Sequence, residues 1–348
     1  MKHTLKITFF LVMIFFVSQL VGLAVINEYI DVEKTSETGK TVVNAEAYNL
    51  TGVQPPEVEN ESYTWILIII AVLVGTVMVL LIIRFKQKNL WKLWFFFAVF
   101  YCLRYAIAPF VSRIISNFSA VAAYSFYATL VIAAAVAFYK VFRPNMVVHN
   151  ISELFIYGGL AALIVPIINM ISAFALLAAI SLYDMYAVWK SRHMVKMAKY
   201  QTESKIFAGL MLPYEKKTGR IVIEKAMAGS ASLQVHKLGK GSGDRKDGKD
   251  DLSHKKMAVD KAREDEGMHS SEGFKTAILG GGDIAFPLLF SGVVFKTTGS
   301  FFDPLIVSIT TTVALFLLLY YGKKDTFYPA MPFISMGCVA GYLITLIL

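Results

Sequence analysis

The chain has 348 residues, of which 56% are hydrophobic and only 17% are charged, and its mean hydropathy is +0.57. Soluble globular domains usually carry more charge, so this composition argues against a water-soluble enzyme. The net charge of +9 does not indicate nucleic-acid binding, because the basic residues flank apolar stretches instead of alternating with aromatic residues. About nine apolar stretches of helix-spanning length predict an all-α polytopic membrane protein.

The predicted spans run along the whole chain. The first resembles a signal peptide, but its apolar stretch is long and no A-x-A cleavage pattern follows, so we expect a retained helix. The stretch from Ile151 to Val188 is too long for one helix, and Pro166 with Asn169 predicts a break between a fifth and a sixth span. The other spans are expected at about 5–26, 64–83, 93–110, 120–139, 274–295, 305–321 and 328–348.

Charge and sequons predict the orientation of these spans. The acidic segment 27–63 contains the glycosylation sequons Asn49-Leu50-Thr51 and Asn60-Glu61-Ser62, which predict an external loop. Basic clusters follow the second, fourth, sixth and eighth spans, so the positive-inside rule predicts a cytoplasmic N-terminus and an external C-terminus. Arg113 and Lys296 run against this rule as single residues.

Three parts are expected along the chain. Residues 1–190 form an N-terminal six-helix part, residues 191–272 a cytoplasmic polar loop, and residues 273–348 a C-terminal three-helix part. The stretch from Gly239 to Gly248 has the composition of a disordered linker, so we expect no second folded domain in the loop.

Two acids lie inside predicted spans, where ionisable groups are costly and usually functional. Asp184 precedes Lys190 by six residues, which places it roughly 9 Å from the cytoplasmic end of the sixth span. Asp283 follows Lys275 by eight residues, which places it roughly 12 Å from the same end of the seventh span. Because consecutive spans are antiparallel, the two carboxylates can face each other.

Two adjacent carboxylates in a poorly solvated site share one proton and act together as an acid and a base. Such a pair can activate water for attack on a carbonyl and protonate the carbonyl oxygen, as in aspartic proteases. The residues alone leave two alternatives open. The acids can be unrelated and separately paired, or they can relay protons in a transporter or channel.

Two further features lie near these acids. Gly280, Gly281 and Gly282 allow a neighbouring backbone to approach just before Asp283, although small residues also serve ordinary helix packing. The segment Tyr328-Pro329-Ala330-Met331-Pro332 lacks two amide donors, which predicts either an irregular backbone beside a cavity or a plain helix start.

The motifs Tyr183-Asp184, Gly280-Gly281-Gly282-Asp283 and Pro329-Ala330-Met331 together resemble the presenilin and signal peptide peptidase family of intramembrane aspartyl proteases. They correspond to the family's YD, GxGD and PAL motifs on its sixth, seventh and ninth helices. Met331 replaces the usual leucine with a residue of similar volume. The short cytoplasmic loop is more similar to prokaryotic or archaeal members.

The resemblance implies an aspartic endopeptidase of the cell membrane that cleaves transmembrane peptides or proteins within the lipid bilayer, without a cofactor or metal. It implies that Asp184 and Asp283 are catalytic, and that the remaining motif residues shape the site or bind substrate: Tyr183, Gly280, Gly281, Gly282, Pro329, Ala330 and Met331. A prepilin-peptidase-type protease remains an alternative, although the Pro329 to Met331 element argues against it, and an inactive scaffold that retains both acids is another.

Two other features have weaker interpretations. Glu153 is expected to be an exposed, helix-capping acid at the cytoplasmic edge of the fifth span. The string from Gly209 to Tyr214 is expected either to lie on the membrane surface or to form a plain loop. No histidine spacing within a span indicates a metal site, and no nucleic-acid partner is expected.

Overall fold

The computed structural model describes residues 5–38, 41–56, 58, 60–85, 87–116, 124–143, 145–191, 207–215, 274–322 and 328–348. Within these residues the chain forms helices and two short strands. In chain order they are α1 (Leu5–Tyr29), α2 (Val32–Thr38), α3 (Ala45–Asn49), α4 (Thr64–Arg84), α5 (Lys88–Ser116), α6 (Ser125–Phe142), α7 (Met146–Ile164), α8 (Met170–Tyr186), β1 (Gly209–Glu215), β2 (Phe274–Gly280), α9 (Gly281–Thr298), α10 (Phe302–Tyr321) and α11 (Met331–Thr345).

Long apolar helices dominate this order. Among the described residues, seven helices are long and apolar enough to cross a membrane, namely α1, α4, α5, α6, α7, α8 and α10. Helix α11 is apolar but shorter, and α9 is not among the seven. The protein therefore has an all-helical polytopic membrane fold. Among the described residues these seven helices, together with α9 and α11, occur in the order of the predicted spans.

The chain divides into two compact units, Met1–Leu210 with Ile278–Leu348, and Met211–Ala277. The first unit contains all the described helices, the start of β1 and the end of β2. In the second unit the described residues, 211–215 and 274–277, belong to the strands. The predicted linker from Gly239 to Gly248 lies outside the described residues.

Helix α9 is the central helix of the first unit. Twelve of its eighteen residues are buried, against neighbours on α1, α7, α8, α10 and α11. Helices α1 and α9 are in close contact at Gly22 of α1, where a side chain would overlap Leu288 of α9. A helix that is apolar on every face is expected in the core of a bundle, and α9 occupies that position.

The segment 27–63 packs on one end of the bundle, which we name the upper end. The buried Tyr48 hydroxyl donates to the Ala162 carbonyl at 2.6 Å, and Tyr48 packs edge-on against Tyr29 with 4.7 Å between ring centroids. Burial raises the pKa of Tyr48, so the phenol remains a neutral donor. These contacts attach the segment to α1 and α7.

The break predicted between the fifth and sixth spans also lies at the upper end. A single 3₁₀ turn at Val165–Ile167, which contains Pro166, ends α7. Asn169 then caps α8, since its side-chain oxygen accepts a hydrogen bond from the Ser172 amide at 2.9 Å. Helix α8 runs from this cap towards the opposite end, which we name the lower end.

The strands correct two predictions. The seventh span was expected to be helical from Phe274, but Phe274–Gly280 is strand β2 and the helix begins at Gly281. The string from Gly209 to Tyr214 belongs to β1, which pairs with β2, and is not a plain loop. The backbone of β2 finds hydrogen-bond partners on β1 instead of within a helix. The all-helical membrane fold thus carries a small two-stranded sheet among its described residues.

Candidate active site

Asp184 lies near the lower end of α8, one turn before the helix widens into a π-helical turn at Ala187–Ser191. Only 7% of the residue is exposed. Tyr183, the preceding residue, is half-buried. Single π-helical turns inside helices are frequent at functional sites because they change the direction of the side chains near them.

Asp283 lies in the first turn of α9, whose N-terminal cap is Gly280. Its carboxylate reaches back to the Gly280 backbone amide, in the manner of the acid in a capping box. Because β2 precedes the helix, Asp283 is the third helical residue and not the tenth residue of a helix that begins at Phe274. The depth of roughly 12 Å assumed a helix from Lys275 onward, and this assumption is wrong because Phe274–Gly280 is a strand.

The start of α11 supplies the third element. The Met331 amide donates to Asp184 Oδ2 at 3.1 Å, and the Ala330 amide contributes a second backbone interaction. Pro329 is buried ahead of the helix, Ala330 is its N-cap, and Met331 is 3% exposed. Pro329 and Ala330 thus precede the helix, and Met331 begins it.

The two acids are brought together at the lower end of the bundle. Asp184 is close enough to Asp283 to act on it electrostatically. Each carboxylate also faces the N-terminus of a helix, Asp283 on α9 and Asp184 on α11, where free amides favour negative charge. The arrangement can therefore hold a proton and a negative charge side by side.

The three glycines before Asp283 have different surroundings. A side chain at Gly281 would meet the Tyr157 hydroxyl at 2.6 Å, so this glycine permits close packing between α9 and α7. A side chain at Gly280 would lie 3.2 Å from the Asp283 carboxylate. Gly282 is exposed and has room for a side chain. The expected close approach is thus present at Gly281 and Gly280 only.

The buried polar residues next to this site were not predicted from the sequence. Glu153 is 1% exposed and pairs with Lys140, so the prediction of an exposed capping acid is wrong. Tyr157 donates to the same carboxylate. A signal existed in the four-residue spacing of Glu153 and Tyr157, which places both on one face of a helix. Lys140 was interpreted only as part of a cytoplasmic basic cluster.

Comparison with known proteins identifies the family of this chain. The sequence model of the family described as signal-peptide peptidase, presenilin aspartyl protease matches residues 37–348. The chain therefore belongs to this family of intramembrane aspartyl proteases, which confirms the predicted family and the predicted protease function. It is a multi-pass membrane protein, and the family implies transmembrane substrates. No curated protein matches the sequence at a significant level.

Two solved structures of a presenilin family intramembrane aspartate protease have a similar fold. The structure in space group P2 matches with a TM-score of 0.54 at 13% sequence identity, and the match covers 97% of this chain and 96% of that chain. The structure in space group C222 gives a TM-score of 0.53 at 13% identity and covers 97% of both chains. At this identity the similarity describes the fold alone.

Proposed function

We propose that Asp184 and Asp283 are the catalytic acid and base of an intramembrane aspartyl protease. The observation that supports this assignment best is that Asp184 on α8 lies close enough to Asp283 on α9 to interact with it electrostatically, while the N-terminus of α11 donates a hydrogen bond to Asp184. Tyr183, Gly280, Gly281, Gly282, Pro329, Ala330 and Met331 are proposed to shape this site or to contact substrate.

The chemistry needs one proton on the pair. The ionised carboxylate takes a proton from water as the water oxygen bonds to the substrate carbonyl carbon, while the other carboxyl protonates the carbonyl oxygen. The diol intermediate then breaks its C–N bond. The first aspartate returns its proton to the leaving nitrogen, the second takes a proton from the diol, and the original state is restored.

We propose that a membrane-embedded substrate approaches the pair through an apolar cavity. The cavity has a volume of about 1040 Å³ and extends from Pro56 and Tyr63 near the upper end to Ala285 and Phe286, which follow Asp283 closely. Helices α4, α5, α7 and α9 supply its walls. A transmembrane segment fits this environment, because both are apolar over most of their length.

The scissile bond must be exposed from a helix before it is attacked. We propose that the non-helical residues Pro329 and Ala330 receive the unwound part of the substrate through backbone contacts, as in β-augmentation. Pro329 has no amide hydrogen, so it can only accept hydrogen bonds in such a contact.

We further propose that the enzyme lies in the cell membrane with the upper end outside. Arg113 and Lys296, the two residues that oppose the positive-inside rule, support this orientation. Arg113 pairs with Glu28 at 2.8 Å and Lys296 with Glu61 at 3.1 Å, so acids of segment 27–63 neutralise both. A tag at Gly241 should be protected in intact cells and one at Thr51 accessible. Labelling at Gly241 would reverse the orientation.

A cleavage assay tests the proposed activity. The purified protein in detergent, given a labelled transmembrane peptide, should produce fragments, and the near-isosteric variant Asp283→Asn should produce none while melting at a similar temperature. The same preparations in vesicles should show no substrate-independent proton flux. Proton flux without cleavage would instead favour a transporter, and cleavage by Asp283→Asn would contradict the assignment of this residue.

A further inference from the structure

A fully buried ion pair lies beside the candidate site at the lower end of the bundle. Lys140 Nζ at the end of α6 and Glu153 Oε1 on α7 are 2.5 Å apart, and their side chains are 1% and 2% exposed. A buried pair of this kind is stable only when further hydrogen bonds satisfy both groups. The additional partners of Glu153 and Lys140 lead in two directions.

One direction leads from Glu153 to α9. The Tyr157 hydroxyl, one turn further along α7, donates to Glu153 Oε2. The same hydroxyl lies directly against Gly281, where a side chain would approach it to 2.6 Å. Tyr157 is also close enough to Asp283 to interact with it electrostatically. The carboxylate of Glu153 therefore fixes a ring that packs on the backbone two residues before Asp283.

The other direction leads from Lys140 to β1. Lys140 Nζ lies 3.2 Å from His149 Nδ1, and an ammonium has only donors, so Nδ1 accepts. His149 Nε2 then carries the hydrogen and donates to the Gly209 carbonyl at 2.8 Å. The residue before Gly209, Ala208, accepts a hydrogen bond from the Gly281 amide at 3.2 Å.

Gly209 is suited to this contact by its conformation. Its φ of +139° is rarely adopted by residues with side chains, and a side chain there would overlap the Leu279 carbonyl. The strand can therefore lie against the start of α9 only with glycine at this position. Both series of contacts thus reach Gly281. Tyr157 packs against its Cα, and the residue before Gly209 accepts a hydrogen bond from its amide.

Building on the proposed function, we propose that Lys140, Glu153, His149 and Tyr157 form a positioning network for Asp283. The network does not touch the scissile bond. It holds the Gly281 backbone between α7 and β1, and the first turn of α9 then fixes the Asp283 carboxylate relative to Asp184. Small displacements of a catalytic group are costly, because catalysis depends on alignment of the reacting atoms.

Tyr157→Phe tests this role with little disturbance, since the ring remains and only the hydroxyl is lost. We expect kcat to fall on the order of tenfold with KM within about twofold of the unmodified enzyme, because substrate binding is intact while alignment is not. Tyr48→Phe is the matched control. It removes an equally buried hydroxyl that donates to a backbone carbonyl at the upper end, so it should lower the melting temperature similarly and leave kcat unchanged.

A double-mutant cycle with Gly281→Ala sharpens the result. The added methyl group should lower kcat strongly in the unmodified enzyme, because it meets the Tyr157 hydroxyl at 2.6 Å. In the Tyr157→Phe background the additional loss should be smaller, since the nearest atom is gone. Full kcat in Tyr157→Phe, or strict additivity with Gly281→Ala, overturns the network. The unmodified enzyme and Asp283→Asn are assayed in the same experiment. An inactive unmodified enzyme or an active Asp283→Asn would instead overturn the proposed function.

Discussion

Two lysines buried in the bundle have different surroundings. Lys140, at the lower end, is 3% exposed and pairs with Glu153, whose side chain is 2% exposed. Lys296, at the upper end of α9, is 5% exposed and pairs with Glu61, whose side chain is 29% exposed. Lys296 also donates to the Ile168 carbonyl at 2.6 Å and to Thr41 at 2.9 Å.

The difference indicates that the upper pair attaches α9 to segment 27–63, whereas the lower pair aligns Asp283. Lys296 joins α9 to segment 27–63 through several partners, thirteen residues or roughly 20 Å of helix away from Asp283. Lys140 has a single carboxylate partner, and that carboxylate contacts the residue packed against Gly281. We therefore expect changes at the upper end to alter stability alone, and changes at the lower end to alter both stability and catalysis.

The largest effect on stability is expected for Lys140→Met. Removing one partner of a fully buried pair leaves Glu153 as an uncompensated charge, which costs about 3–5 kcal/mol. The double variant Lys140→Met with Glu153→Met should regain much of this stability, because an apolar pair of similar volume carries no desolvation cost. Thermal melting in detergent measures both values.

The cleavage rate of the double variant shows whether the Lys140–Glu153 pair serves stability alone or also aligns Asp283. The variant should remain slow despite its recovered stability, because Tyr157 and His149 have lost the charged groups that hold them. A double variant that is stable and fully active would show that the lower pair, like the upper one, serves stability alone.

A large loss of activity is expected for Pro329→Ala. The change relaxes the backbone that directs the Ala330 and Met331 amides at Asp184, and it adds an amide donor. We expect the cleavage rate to fall tenfold or more, which corresponds to about 1.4 kcal/mol of transition-state stabilisation. A folded variant with an undiminished rate would mean that Pro329 is only a helix start.

A moderate effect is expected for Lys296→Met. Glu61 keeps access to solvent, so the loss should be about 1–2 kcal/mol, above that of an exposed ion pair and well below that of a fully buried pair. The rate per folded molecule should not change. A fall in kcat without a fall in melting temperature would remove the distinction between the two ends.

The smallest effect is expected for Met331→Leu. Met331 is 3% exposed and contributes its backbone amide, not its side chain, to Asp184. Replacement by a residue of similar volume should cost less than about 1.5 kcal/mol and leave cleavage near its starting rate. A severe loss of activity would show that the side chain itself contacts substrate.

The sequence predicted the helical order and the family because both depend on local signals. Apolar length located the spans, and Pro166 with Asn169 located the break before α8. The strands were missed because β1 and β2 pair across a long sequence separation, and a short apolar run is equally compatible with helix. The Lys140 to Glu153 pair was missed for the same kind of reason. Each residue alone is typical of a membrane edge, and only tertiary packing buries them together.

Activity of the single and double aspartate variants tests the central claim most directly. Purified Asp184→Ala, Asp283→Ala and the double variant are compared on one labelled transmembrane peptide, with melting temperatures measured on the same preparations. If the two acids act as one unit, each single variant abolishes cleavage and the double variant is no worse, because cooperating catalytic groups are not additive. Substantial cleavage by either folded single variant would contradict the account.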